Sequence, residues 1–354
     1  MSRQSTVALA GILGALVGLA ALAVAVWILE SSTGGGEETG GAPADTGLVD
    51  TTPSEPTPTE PPPEERTRTI EVGGFPNAVA VGEKGVWILR DGRRVLRLDP
   101  ATTEVVGRVG AGDELGSERG CGIAVGGGAV WVTTISGQVA RLNPETNRVA
   151  RLIAVEDAAC IAAGARGIWV SSPNLGVVTR IDPATNEVVA EIPVDGFPEG
   201  IATGFGSVWV ANADPPEGAA GTVSRINPQT DEVAVTIDVP NGPQYVATGA
   251  GSVWASSNNG RIVRIDPKAN ELDGRPIAIA EAGATNVTVG GGAVWAIVIQ
   301  SDGAAGAAIE IDPATGDVVD PPIPVGEGPR GLDFGLRSLW VTNYDDGSVT
   351  RYSP

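Results

Sequence analysis

CIAAGARGIWVSSPNLGVVTRIDPATNEVVAEIPV, residues 160–194, reads as four short strands joined by three turns. CIAAG is a run of small residues suited to a crowded interior, and GIWVSS is an apolar strand built around Trp169. VVTRID follows as a third strand, and EVVAEIPV as a fourth whose alternation fits a half-exposed outer edge. The DPATNE segment between the last two is a turn with a physical cause. The Asp182 carboxylate accepts a backbone N–H two residues on, and Pro183 presets φ for the next position.

The same stretch recurs along the chain. Trp87, Trp131, Trp169, Trp209, Trp254, Trp295 and Trp340 are spaced by 44, 38, 40, 45, 41 and 45 residues. Each is followed by a proline preceded by Asp, Asn or Ser: Pro100, Pro144, Pro183, Pro228, Pro267, Pro313 and Pro354. Seven copies of two linked markers at this period predict an all-β, seven-bladed β-propeller with four-stranded blades. The last repeat stops after its third strand, at RYSP, whereas TRTIEV (67–72) aligns with an outer strand that has no blade of its own. Pairing residues 67–72 beside Ser348–Tyr352 would complete blade seven and hide an open edge. The propeller then spans 67–354.

WVTNYDDGSVTRY (340–352), with sister segments ending in RIDPATNEVV, resembles the YVTN-type seven-bladed propellers, close to the virginiamycin B lyase-like group. The resemblance covers roughly residues 67–354 and rests on the residues that build blades. It implies lyase chemistry that depends on a catalytic histidine. The chain contains no histidine, so that activity does not carry over.

Ahead of the repeats, Val7–Leu29 is an uncharged apolar run, long enough at about 1.5 Å per residue to span a bilayer as a helix. Arg3 precedes it and no base follows until Arg66, which places the N-terminus in the cytoplasm and the rest outside. Residues 1–30 therefore read as a single-pass signal anchor. A cleaved, secreted form is the alternative, with a small-x-small site at Ala23-Val24-Ala25. Residues 31–66, rich in Gly, Pro, Thr and Glu, bury too little apolar surface to fold and read as a disordered stalk.

Charge and composition narrow the function. A formal net charge of −20 argues against nucleic-acid partners. The absence of histidine removes imidazole catalysis and His-ligated metal sites. Arg97, Arg141, Arg180, Arg225, Arg264 and Arg351 recur at one repeat position and read as blade braces, with Glu310 breaking the series. The longer connections, 110–120, 213–221 and 300–307, all belong to the two connection types that share one face of a propeller.

On that face, the position ten residues before each tryptophan should ring the channel mouth. It holds Asn77, Cys121, Ala159, Glu199, Gln244, Thr285 and Arg330, with Tyr245 and Asn286 one residue further on. Asn77, Glu199, Gln244, Tyr245, Asn286 and Arg330 are the expected ligand-binding residues. Cys121 and Cys160 begin the innermost strands of neighbouring blades, and an extracytoplasmic location permits a disulfide between them; two buried thiols are the alternative. The expected function is a non-catalytic binding, sensor or scaffold module, a monomeric propeller with an extracytoplasmic protein, glycan or small molecule as partner. The alternative is a metal-dependent hydrolase, lactonase or lyase-like enzyme, with Ca²⁺ or Mg²⁺ held by Glu199, Asn77 and Asn286.

Overall fold

The computed structural model describes residues 66–354 except 83, 91–93, 111–119, 214–219, 258, 280–283 and 300–304. The expected membrane helix, the stalk up to residue 65 and most of the three insertions lie outside the described residues. Among the described residues, no helix is long and apolar enough to cross a membrane.

Seven antiparallel sheets make seven blades. Blade three shows the plan: Ile161–Gly164 is innermost, followed outward by Gly167–Ser172, Val177–Asp182 and Glu187–Pro193. Each innermost strand packs against the next around the ring, and that of blade seven, Pro329–Gly335, packs against that of blade one, Pro76–Gly82. The ring is closed by the strand Thr67–Glu71, antiparallel to Ser348–Tyr352, with Thr67 opposite Tyr352 and Glu71 opposite Ser348. Blade seven thus takes its outer strand from the beginning of the propeller sequence.

The wedge between neighbouring blades forces the tryptophans inside. All seven are fully buried. Trp87 packs with Val130 and Val132 of blade two, and Trp131 with Ile161, Ile168 and Val170 of blade three. The ring N–H of Trp131 donates to the carbonyl of Gly126 (2.9 Å), and that of Trp169 to Gly164 (3.1 Å). A buried indole thereby keeps its polar end paired.

The repeated arginines are inter-blade braces. Arg97 lies 5.4 Å from the Trp87 ring, and its Nη1 donates to the carbonyl of Pro144 in the next blade's turn (2.8 Å). Arg225 does the same with Trp209 (5.2 Å) and the Pro267 carbonyl (2.9 Å). Arg351 carries the brace across the closure, from Trp340 to the Pro100 carbonyl (2.8 Å). The turns receiving these arginines are the expected ones: Asp182 Oδ1 accepts the N–H of Ala184 at 2.7 Å, and Asp99 Oδ1 that of Ala101 at 2.8 Å.

Glu310 has a reason to differ. It stands opposite Trp295, where the other blades place arginine. Its neighbour, blade seven, draws its third and outer strands from distant parts of the chain, so no Pro-bearing hairpin turn joins them to receive a guanidinium. There Trp295 packs instead on Phe334 (6.1 Å, near-parallel) and on Tyr352 (5.8 Å, edge-on).

Blade five departs from the plan. Its outer strand is split into Glu271–Leu272 and Ile277–Ala278, both paired with Arg261–Asp266. Between them Gly274 takes φ +84°, and Pro276 has no N–H to give to a ladder.

Candidate functional site at the channel mouth

The innermost strands change register close to the mouth. The breaks fall between Pro76 and Ala78, Pro198 and Ile201, Pro243 and Tyr245, Ala284 and Val287, and Pro329 and Leu332. Bulges of this kind release residues from the ladder and re-aim them. Asn77, Glu199, Gln244, Asn286 and Arg330 all lie within them, and Tyr245 is the first residue back in register, opposite Ser256. The polar variety of this repeat position thus has a local cause: the bulge residues stand outside the regular register of the strand pairs.

Hydroxyls of the preceding blade hold this repeat position in place, in two of the bulges and in blade three. Thr342 Oγ1 donates to the Asn77 carbonyl (3.2 Å), Ser171 Oγ to that of Glu199 (2.7 Å), and Thr133 Oγ1 to that of Ala159 (3.0 Å). Each donor sits two residues beyond its blade's tryptophan.

Gly120 and Cys121, the described end of the connection from blade one to blade two, lie across the mouth. Asn286 Nδ2 of blade six donates to the Gly120 carbonyl at 3.3 Å, and its amide oxygen accepts the Val287 N–H at 2.9 Å. A Cβ on Gly120 would lie only 2.5 Å from the Arg330 carbonyl of blade seven, so glycine is required by close approach. Cys121, the next residue, forms a disulfide with Cys160, with the two Cα atoms 4.8 Å apart. The Ile161 N–H also donates to the Cys121 carbonyl (3.1 Å), so blade three anchors the crossing segment by a covalent and a hydrogen bond.

Beneath this segment is a channel cavity of about 300 Å³. Cys121, Tyr245 and Asn286 line it, while Asn77, Glu199, Gln244 and Arg330 do not. Of the three oxygen donors expected for a divalent cation, only Asn286 lines the cavity, and its oxygen is already engaged. Among the described residues, no group of three or more Asp, Glu or Cys side chains is placed to hold a metal.

The sequence reading missed one lining residue, Asp333 of blade seven. Its Oδ2 accepts the N–H of Val81 in blade one (2.7 Å). Burial without a cationic neighbour pushes its pKa up to about 6, against the opposing effect of hydrogen bonds from the Val81 and Phe334 backbone. The signal was available: seven residues before each tryptophan stand Ala80, Ala124, Ala162, Ala202, Ala247, Thr288 and Asp333, and only one of them is ionisable.

A second group lies on the loop face and joins the expected Arg330 to two residues that the sequence reading missed, Phe75 and Tyr344. Phe75, 51% exposed, packs on Tyr344 with centroids 5.1 Å apart and the rings tilted by 30°, and the Arg330 guanidinium carbon lies 3.6 Å from the Tyr344 centroid. The three come from separate segments: the entry to blade one, the turn after Ser338–Asn343, and the bulge of blade seven. Ile135 and Leu175, in the corresponding turns of blades two and three, are also exposed on this face.

Fold and channel together define a seven-bladed β-propeller whose mouth is crossed by a disulfide-anchored segment. No family model and no curated protein matches the sequence. Solved structures do match the fold. Virginiamycin B lyase from Staphylococcus aureus aligns with a TM-score of 0.67 at 15% identity, over 81% of this chain and 99% of that one. Hydrazine synthase of Kuenenia stuttgartiensis aligns at 0.64 and 13% identity, over 79% and 96%. BamB from Moraxella catarrhalis aligns at 0.55 and 17% identity, over 79% and 84%. At these identities the likeness is one of architecture.

Proposed function

We propose that the chain is a membrane-anchored, extracytoplasmic YVTN-type propeller that binds a protein partner through its loop face, without catalysis. The observation that carries this reading is the Arg330–Tyr344–Phe75 stack. Aromatic and arginine side chains held rigidly together lose little freedom on binding and are enriched where interfaces gain most of their energy. Ile135 and Leu175 extend the exposed apolar surface around the same face. The half-buried bulge residues Glu199 and Gln244 add polar groups elsewhere around the mouth, and the insertions 110–120, 213–221 and 300–307 belong to the connections of the same face.

The disulfide supports an oxidising compartment. The apolar run 7–29 supplies the anchor and 31–66 the stalk in this reading. The expected partner is an extracytoplasmic protein. A glycan or small molecule would use the mouth in place of the stack.

Affinity capture from intact cells tests the proposal. The expected result is a partner recovered with the wild-type chain and with Phe205→Ser on the opposite face, but lost with Phe75→Ser combined with Tyr344→Ser. Retention by the double variant, with its fold intact by circular dichroism, would remove the stack from the interface.

A further inference from the structure

Among the described residues, Asp333 is the only carboxylate lining the channel cavity. The other described residues of that lining include no Lys or Arg, and the one further ionisable side chain among them is the Tyr245 hydroxyl, Cys121 being in the disulfide. The strands packed against Asp333 bring no charge either. Pro76–Gly82 of blade one and Ala284–Gly290 of blade six carry no ionisable group, nor does Ser338–Asn343 behind it. The carboxylate therefore stands in a lumen where no other described side chain carries a charge, and it accepts a backbone N–H from the neighbouring blade.

Packing does not call for an acid at this position. Alanine occupies it in five of the seven blades, opposite the same tryptophan and in the same register. Nor does the closure need it, since Thr67–Glu71 and Arg351 already join blade seven to the start of the ring. A charge retained where the repeat itself offers a neutral solution is a mark of function rather than architecture.

We infer that the channel binds a small organic cation, a primary ammonium group on a short alkyl stem, with Asp333 as its counter-ion. One negative charge matches one positive charge, whereas a divalent metal would find no second carboxylate among the described residues of the lining. Thr288 and Thr248, also in the lining, offer hydroxyl oxygens to the remaining ammonium protons. Ala80, Ala247, Val79 and Val287 provide apolar wall for the stem. A cavity of about 300 Å³ is at the small end of ligand sites, which suits a small molecule rather than a polymer. This site is separate from the loop-face stack, so either proposal can fail without the other.

The test is ligand-observed NMR on the purified 354-residue chain, titrated with n-butylammonium chloride and, separately, with n-butanol. Saturable binding of butylammonium at pH 7.5 is expected, at least tenfold tighter than butanol. Binding should weaken progressively as the pH falls through 6, because Asp333 takes up a proton there while the amine stays charged. Asp333→Asn should weaken it at least tenfold, and Asp333→Ala, which restores the residue of five other blades, should do the same. The pH series needs no variant and stands even if one fails to fold. Absence of saturable binding, equal binding of butanol, or binding unchanged by pH or by either substitution would overturn the inference.

Discussion

At the scale of single residues, Asp333 has the clearest energetic consequence. Its folded pKa, about 6, lies above the ordinary value of 3.8 because burial disfavours the charge. The folded state therefore holds this proton more tightly than the unfolded chain does. Its contribution falls as pH rises from about 4 to about 6, and the full penalty is present above 6. A shift of about two units corresponds to roughly 3 kcal/mol. Asp333→Asn, which can still accept the Val81 N–H, is expected to gain up to that amount in denaturant unfolding at pH 7 and almost nothing at pH 4. A loss of stability at pH 7 would show that the carboxylate is a structural tie. The residue was legible only by aligning the repeats and asking which one breaks an alanine column. Composition alone hid it among many surface acids.

At the scale of elements, the innermost strands are packed as closely as backbone allows. A Cβ on Gly126 would lie 2.5 Å from the Cβ of Ala163, and one on Gly82 would lie 2.5 Å from Val125 Cγ1. Gly126→Val is thus expected to cost about 1–3 kcal/mol through overpacking, read as a lower denaturant midpoint with the slope unchanged. The Cys121–Cys160 link joins two of these strands across 39 residues of chain. Replacing both cysteines by serine should cost roughly 3–4 kcal/mol on the loop-entropy argument. A thiol assay on the unreduced, denatured wild type should find no reactive cysteine.

Strands, Asx turns and arginine braces were readable because each recurs seven times or nearly so, and repetition separates architecture from accident. The bulges were not. Their residues were picked out by polarity, but the register breaks at Asn77 and Gln244 depend on how the strand meets its neighbours across the mouth. The Phe75–Tyr344 contact was hidden for a similar reason, since it joins residues from opposite ends of the repeat array.

For the whole molecule, closure is the decisive feature. The pairing of Thr67–Glu71 with Ser348–Tyr352 was visible in the sequence as an outer strand without a blade, matched by a blade without an outer strand. Deleting residues 1–72 is expected to leave Ser348–Tyr352 as an open edge and to favour association between copies, seen as concentration-dependent elution in size exclusion. A monomeric, cooperatively unfolding product would mean that the ring holds without its closing strand.

The functional account rests on one face of that ring. A photo-cross-linking residue placed at position 75 on the loop face, and separately at position 205 on the opposite face, tests it in intact cells. The account predicts a discrete adduct from position 75 and none from position 205. An adduct from position 205 alone, or equal yields from both, would contradict it.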